Sequence, residues 1–327
     1  MTNFKKIGLT ALAASLVSVS ANAGALTASG SASMNSEGHS GTGLDAGTTF
    51  SMSNSVVLSG SGELDNGMTV SVSFELDQSD TDGNGSSFDS HSVTVSSDTL
   101  GTLTLAGHGG SSTTGKIDTT AAGDMWDNFD GVTYTGGVTV ADAVSANSGE
   151  NTNLLYTSPD LMDGLNVTLS YNPQVTLNES ETGYGVNYSG IEGLSLSYAV
   201  TDENTHAGSD TSGDNTVIKA SYAYGPVTVA YSEMEHDEGL SSGASDITMT
   251  SYALTYTMSD ELSVTYGSET SDKGNKTTDL EVEGISVAYT TGGMTISAST
   301  MSLENGNWGT GSEEDMDYYA LGASFAF

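Results

Sequence analysis

Tyr318-Tyr319-Ala320-Leu321-Gly322-Ala323-Ser324-Phe325-Ala326-Phe327 closes a chain of 327 residues, and the pattern alternates up to the final residue. Tyr319, Leu321, Ala323, Phe325 and Phe327 share one parity, while Tyr318, Ala320, Gly322, Ser324 and Ala326 share the other. Successive side chains of a β-strand point to opposite faces, so this run is a strand with one bulky apolar face. It stops on the aromatic itself, which a soluble protein has little reason to do.

The same design recurs upstream. Val70, Val72, Phe74 and Leu76 are set against Thr69, Ser71, Ser73 and Glu75, and Leu165, Val167, Leu169 and Tyr171 against Asn166, Thr168, Ser170 and Asn172. It returns at Leu194/Leu196/Tyr198/Val200, Val227/Val229/Tyr231 and Leu262/Val264/Tyr266. A two-sheet sandwich also alternates, so alternation by itself leaves that alternative open.

The connections separate the two. One set is short and built of turn formers: Asp65-Asn66-Gly67, Asp98-Thr99-Leu100-Gly101, Gly190-Ile191-Glu192-Gly193, Gly225-Pro226, Ser259-Asp260 and Gly292-Gly293. The intervening set is longer and acidic, at 35–47, 78–86, 109–149, 173–180, 202–214, 235–246, 269–277 and 304–314. Short turns alternating with long loops is the layout of a transmembrane β-barrel, turns in the periplasm and loops outside. The runs between connections number sixteen, so the expected fold is all-β, a 16-stranded antiparallel barrel with both termini on the periplasmic side. Leu280 and Val282 sit on the parity opposite to Ile285, Val287 and Tyr289, which predicts a bulge near Glu283-Gly284. Tyr156, Tyr171, Tyr198, Tyr231, Tyr266 and Tyr289 lie near the ends of the apolar parity, where a barrel carries aromatic girdles. Ordinary strand propensity also enriches tyrosine.

Composition agrees with strands and turns. Gly is abundant (41 copies), Pro is scarce (3), and apolar residues make up 36% of the chain. Such low hydrophobicity at a net charge of −36 would fit a disordered chain, but the apolar residues alternate instead of being absent from long stretches. The 42 acidic residues face 6 Lys and no Arg, which excludes nucleic acid as a partner. The acidity fits solubility in a salty medium and equally fits selection of cationic solutes. With no Cys there is neither a disulfide nor a thiolate metal site.

Residues 1–23 read as a cleaved export signal: Lys5 and Lys6, the apolar run Ile7–Val19, then Ala21-Asn22-Ala23. The mature chain, 24–327, then keeps 4 Lys and all 42 acids, a net charge of 4 − 42 = −38. No later segment approaches the roughly 18 consecutive apolar residues of a spanning helix. A membrane location therefore requires a closed barrel, which satisfies every backbone hydrogen bond in lipid.

Leu321-Gly322-Ala323-Ser324-Phe325-Ala326-Phe327, with Tyr319 before it, resembles the C-terminal assembly signal of outer-membrane barrels, Leu321 standing where that pattern usually carries a polar residue. With the long loop 109–149 and the run Leu100-Gly101-Thr102-Leu103-Thr104-Leu105-Ala106-Gly107 entering it, the chain resembles a Gram-negative general-diffusion porin of the Rhodobacter-like type. The resemblance implies an outer-membrane homotrimer of sixteen-stranded barrels, delivered by the barrel-assembly machinery and passing small hydrophilic solutes and ions. It further implies that loop 109–149 folds inward as a constriction. Asp118, Asp124, Asp127 and Asp130 would face the lumen beside Lys116, Trp126 and Phe129 would anchor the loop, and Glu75 and Lys219 would stand on the lumen wall. Such porins oppose the loop acids with a cluster of wall Arg, which this chain lacks, so the expected pore prefers cations.

Other chemistry is thin. Gly110-Ser111-Ser112-Thr113-Thr114-Gly115-Lys116 has phosphate-loop spacing, but Ile117 follows where Ser or Thr should bind magnesium, and no helix pattern succeeds it. Gly239-Leu240-Ser241-Ser242-Gly243 has the nucleophile-elbow string without its strand-to-helix context, and the five His are scattered, so no enzyme is expected. Asp80, Asp82 and Asn84 open a calcium-loop pattern whose twelfth position is His91 instead of Glu, leaving calcium as a candidate ligand and no cofactor as required. A substrate-specific outer-membrane channel and a secreted acidic surface or structural β protein are the alternative functions. The second leaves the aromatic terminus unexplained.

Overall fold

The computed structural model describes residues 26–41, 47–77, 88–132, 140, 152–173, 180–203, 213–237, 246–309 and 315–327. The export segment 1–23 and the calcium candidates Asp80, Asp82 and Asn84 lie outside the described residues.

Sixteen strands form one closed antiparallel barrel in which each pairs with its neighbours in sequence and the first pairs with the last. They are β1 (Leu26–Gly41), β2 (Gly47–Glu63), β3 (Thr69–Asp77), β4 (Ser90–Ser97), β5 (Gly101–His108), β6 (Asn153–Thr157), β7 (Leu165–Asn172) and β8 (Glu181–Tyr188). The second half comprises β9 (Leu194–Glu203), β10 (Asp214–Tyr224), β11 (Val227–Asp237), β12 (Ile247–Thr257), β13 (Leu262–Lys273), β14 (Leu280–Thr291), β15 (Met294–Glu304) and β16 (Met316–Ala326). Glycine is required at the short turns: Gly67, Gly193 and the Gly292-Gly293 pair have φ of 80°, 77°, 56° and 83°, a region closed to most side chains.

Register sorts every side chain inward or outward. Pairs such as Val72↔Val93, Tyr231↔Tyr252, Tyr266↔Ile285 and Ala298↔Leu321 run around the outer face, and Ser73↔Ser92, Ser232↔Ser251 and Gly267↔Gly284 around the inner. Every described tyrosine except Tyr318 points outward. Tyr156, Tyr188, Tyr222, Tyr224, Tyr256 and Tyr289 lie beside short turns, and Tyr171, Tyr184, Tyr198, Tyr231, Tyr252, Tyr266 and Tyr319 lie further along their strands, giving two tiers around β6–β16. On β1–β5 there is no tyrosine at all.

Two expectations need correction. No bulge interrupts β14, whose pairing with β13 and β15 is continuous through Glu283 and Gly284. Leu280 and Val282 simply point inward and are buried, while Ile285, Val287 and Tyr289 point outward. The parity reverses because the inside of the barrel is dry at that height. The expected connections 35–47, 235–246 and 269–277 also begin too early, since β1 runs to Gly41, β11 to Asp237 and β13 to Lys273. Beyond the apolar band the outward residues turn polar as well, so the strand loses its alternation before it loses its pairing. Lys273, thus on β13, faces inward with its ammonium 4.6 Å from the centre of the Trp308 ring.

Candidate functional site: the barrel interior and the segment after β5

The segment that follows β5 runs along the inside of the wall, and its path can be traced bond by bond. Thr113 N–H donates to Ser170 Oγ on β7 at 3.1 Å, and Thr114 Oγ1 meets Thr201 Oγ1 on β9 at 3.0 Å. Lys219 on β10 donates to Thr119 O. Ala121 N–H donates to Ser232 Oγ on β11 at 2.8 Å, and Ala122 N–H to Ser251 Oγ on β12 at 2.9 Å. On β13, Glu269 is fully buried and accepts from the Thr120 hydroxyl and from Trp126 N–H at 2.9 Å. Finally Asn128 O lies 2.7 Å from His39 Nε2 on β1. The segment thus crosses the interior against β7 through β13 and reaches the β16–β1 seam.

Hydroxyls suit this duty: a Ser or Thr carries one donor and two acceptor lone pairs, enough for a backbone N–H that the sheet does not serve. Within the segment, Asp124 Oδ1 accepts Thr120 N–H at 2.8 Å while Thr120 Oγ1 accepts Asp124 N–H at 2.7 Å, closing a reciprocal turn. Asp124 itself has φ 55°, and a short 3-10 turn, Met125–Asn128, follows it. Gly267 is required opposite this turn, because a Cβ there would stand 2.9 Å from the Met125 sulfur.

An apolar cluster seals the rest of that half. Inward-facing Val217, Met234, Met249, Leu280, Val282, Leu303, Met316 and Tyr318 pack with Met125, Phe129 and Trp308, all buried. Phe129 meets His39 and Tyr318 edge-on, with ring centres 5.9 and 6.1 Å away. Trp308, in a one-turn segment after β15, donates its indole N–H to Ser271 O at 2.9 Å. Sequence reasoning missed this cluster because it presumed a wet interior. The signal was available in the Met and Leu residues on the otherwise polar parity of β11, β12, β14 and β15.

Among the described residues the opposite half stays open. No inward-facing residue of β1–β4 is buried, whereas on β7 through β14 such residues as Thr168, Ser170, Thr201, Ser232, Ser251 and Glu269 are. The room that the described residues leave for an aqueous path therefore lies against β1–β5.

The anticipated site residues fall as follows. Asp118 is half-buried, and burial, reinforced by Asp124, raises its carboxyl above the usual range. Asp127 and Asp130 are exposed, and the Asp127 carboxyl is raised by the partial burial of its inner side first and then by the charges of Asp124 and Asp130. Asp124 is committed to the turn. Lys116 reaches Thr157 Oγ1 on β6 at 3.4 Å, Trp126 is half-buried, and Phe129 is wholly buried. Glu75 faces inward and accepts from Ser90 Oγ at 3.2 Å. In the last strand Tyr319 and Leu321 point outward, as does Phe325, and Gly322 leaves room for Asn35 Oδ1, which lies 2.5 Å from where a Cβ would be. The acids of the segment and the inward lysine of β10 thus meet, while Glu75 stands on the far wall. Among the described residues no group of three or more His, Asp or Glu is arranged to hold a metal ion.

Comparison with known proteins follows this geometry. An anion-selective porin from Comamonas acidovorans superposes with a TM-score of 0.66 at 16% identity, covering 93% of this chain and 99% of that one. A variant of the Rh. blastica porin gives a TM-score of 0.62 at 21% identity over 93% and 100%. The outer-membrane-expressed OmpT of Vibrio cholerae gives 0.64 at 12% over 94% and 99%. No curated protein matches the chain in sequence. Residues 8–289 match the Gram-negative porin family, and the chain belongs to that family: it is an outer-membrane porin.

Proposed function

We propose that this porin is a cation-preferring general-diffusion channel for small hydrophilic solutes, narrowed by the 109–149 segment. The carrying observation is a balance of charge inside the barrel. Asp118, Asp127 and Asp130 ride on the segment and Glu37, Glu63, Glu75 and Asp77 face inward on β1–β3, against the two inward lysines Lys219 and Lys273 on the strands and no Arg in the chain. An excess of carboxylates over cations beside a water-filled gap raises the local cation concentration. The fold alone does not set the sign, since a barrel of this shape also serves an anion-selective porin. Reversal potential across a planar bilayer in a potassium chloride gradient tests the reading. A potential of the sign for cation flow is expected, and anion preference overturns it.

Export and assembly complete the proposal. The 1–23 segment is removed after Ala23, which N-terminal sequencing of the outer-membrane form checks, and the terminal strand with Phe327 is what the barrel-assembly machinery reads. The outward face of β1 and β2 combines small residues, Ala32 and Ser36, with Met34, Phe50 and Met52 at 60%, 88% and 62% exposure. Small residues permit close backbone approach and protruding apolar ones supply knobs. This face, whose own strands carry no tyrosine, is the contact between copies of a homotrimer.

A further inference from the structure

The wall left open on the β1–β5 side is rich in hydroxyls. Ser33 and Ser53 pair across β1 and β2 with oxygens 2.6 Å apart, Ser31 and Ser55 at 3.1 Å, and Thr94 and Thr104 across β4 and β5 at 3.0 Å. All are inward-facing, and none is buried. The inward charges of this wall are acidic, Glu37, Glu75 and Asp77 towards the long-loop end and Glu63 beside the short turn. Lys116, the nearest lysine of the segment, is drawn away to Thr157 on β6.

We infer that these cross-strand hydroxyl pairs are the specificity-determining wall of the channel, a neutral hydrogen-bonding strip that admits small inorganic cations and protonated amines and turns back carboxylate and phosphate solutes. The inference rests on the pore reading above and deepens it. A paired hydroxyl still has a lone pair free, so it can replace part of the water around a passing cation. An anion gains far less there. Its strong partners are charge-assisted donors, Lys or Arg, and the wall supplies none. Across the gap stands the acidic edge of the segment, so one side attracts cations and the other does not repel them. Selectivity then resides in what the wall lacks, and adding a positive charge to it should undo the preference.

The absence of Cys makes this directly testable, because a single introduced thiol is the only one in the protein. Ser53→Cys and Thr94→Cys place it on the open wall, and Ser232→Cys and Ser251→Cys place it beneath the segment. The folded protein in bilayers is treated with a small cationic methanethiosulfonate, and labelling is followed by mass. Modification at 53 or 94 should lower the cation-to-anion permeability ratio by roughly threefold to tenfold, the effect of one unit charge a few ångströms from the path. Positions 232 and 251 should stay unlabelled. Ser53→Lys repeats the test without a reagent and should shift the ratio the same way. Complete labelling at 53 and 94 with an unchanged ratio overturns the inference, as does selectivity controlled from 232 or 251. A wild-type protein that inserts but passes no current overturns the pore reading itself, so the two failures are distinguishable.

Discussion

Phe327 and Gly30 exchange both backbone hydrogen bonds, Gly30 N–H to Phe327 O at 2.7 Å and Phe327 N–H to Gly30 O at 2.9 Å. The Phe327 ring lies over Gly30, 2.6 Å from where a Cβ at 30 would sit. The last residue thus completes the seam on which barrel closure depends. Gly30→Val should force the ring aside at a cost of about 1–3 kcal/mol, lowering the temperature at which the compact form converts to the unfolded one on unheated-versus-heated gels. An unchanged conversion temperature would contradict this role.

Glu269 is the wall's firmest hold on the inner segment. Removing its acceptors in Glu269→Ala strips Trp126 N–H and the Thr120 hydroxyl of their partner, at about 1.5–3 kcal/mol for each bond to a charged group. Single-channel recordings should then show larger conductance with more open-state noise. Glu269→Gln, which keeps one acceptor oxygen, should fall between the two. Wild-type conductance in Glu269→Ala would exclude the clamp.

Acidification should weaken cation preference early. The Asp118 and Asp127 carboxyls are raised above the ordinary range near pH 4, chiefly by burial. They therefore take up protons at higher pH than an unperturbed aspartate, and each proton removes one negative charge from the path. The permeability ratio should begin to fall at a higher pH than the ordinary aspartate range would give. Asp118→Asn/Asp127→Asn should flatten that limb, and a ratio constant down to pH 4 would refute the assignment.

Trp308 ties the turn after β15 to the dry cluster. Trp308→Ala should cost about 3–5 kcal/mol of local packing, loosening Phe129 and lowering thermal stability. A variant as heat-resistant as the wild type would show the cluster to be incidental.

Asp80, Asp82 and Asn84, calcium candidates on sequence pattern alone beside the simpler reading of an acidic loop screened by salt, make a separate forecast. Millimolar calcium should raise the melting temperature of the purified protein, and Asp80→Asn/Asp82→Asn should abolish the rise. Melting indifferent to calcium and chelator would dispose of the site.

How far the molecule could be foreseen follows from what fills its interior. Strand number and order were legible because lipid imposes a strict apolar parity, as in Val227/Val229/Tyr231, and because turn chemistry such as Gly292-Gly293 punctuates it. The reversal at Leu280 and Val282 was misread as a bulge because alternation was taken to mean a wet lumen, and here the lumen wall is itself a core. Within the site, the acids of 118–130 were visible as composition. Their supports were not: Ser232 and Ser251 look like any inward serine, and Glu269 was assigned to a connection because outward polarity near the strand end hides the pairing.

The cluster against β10–β16 gives the two sides of one sheet different mutational futures. On the filled side each residue interlocks with the segment and with Trp308, so changes there must come in compensating sets. On the hydroxyl side a position such as Ser53 is exposed and bonded to its cross-strand partner Ser33, and can change singly without disturbing closure. Permeability can therefore drift along β1–β5 while the architecture is held fixed elsewhere, which also marks those strands as the place to retune the channel by design.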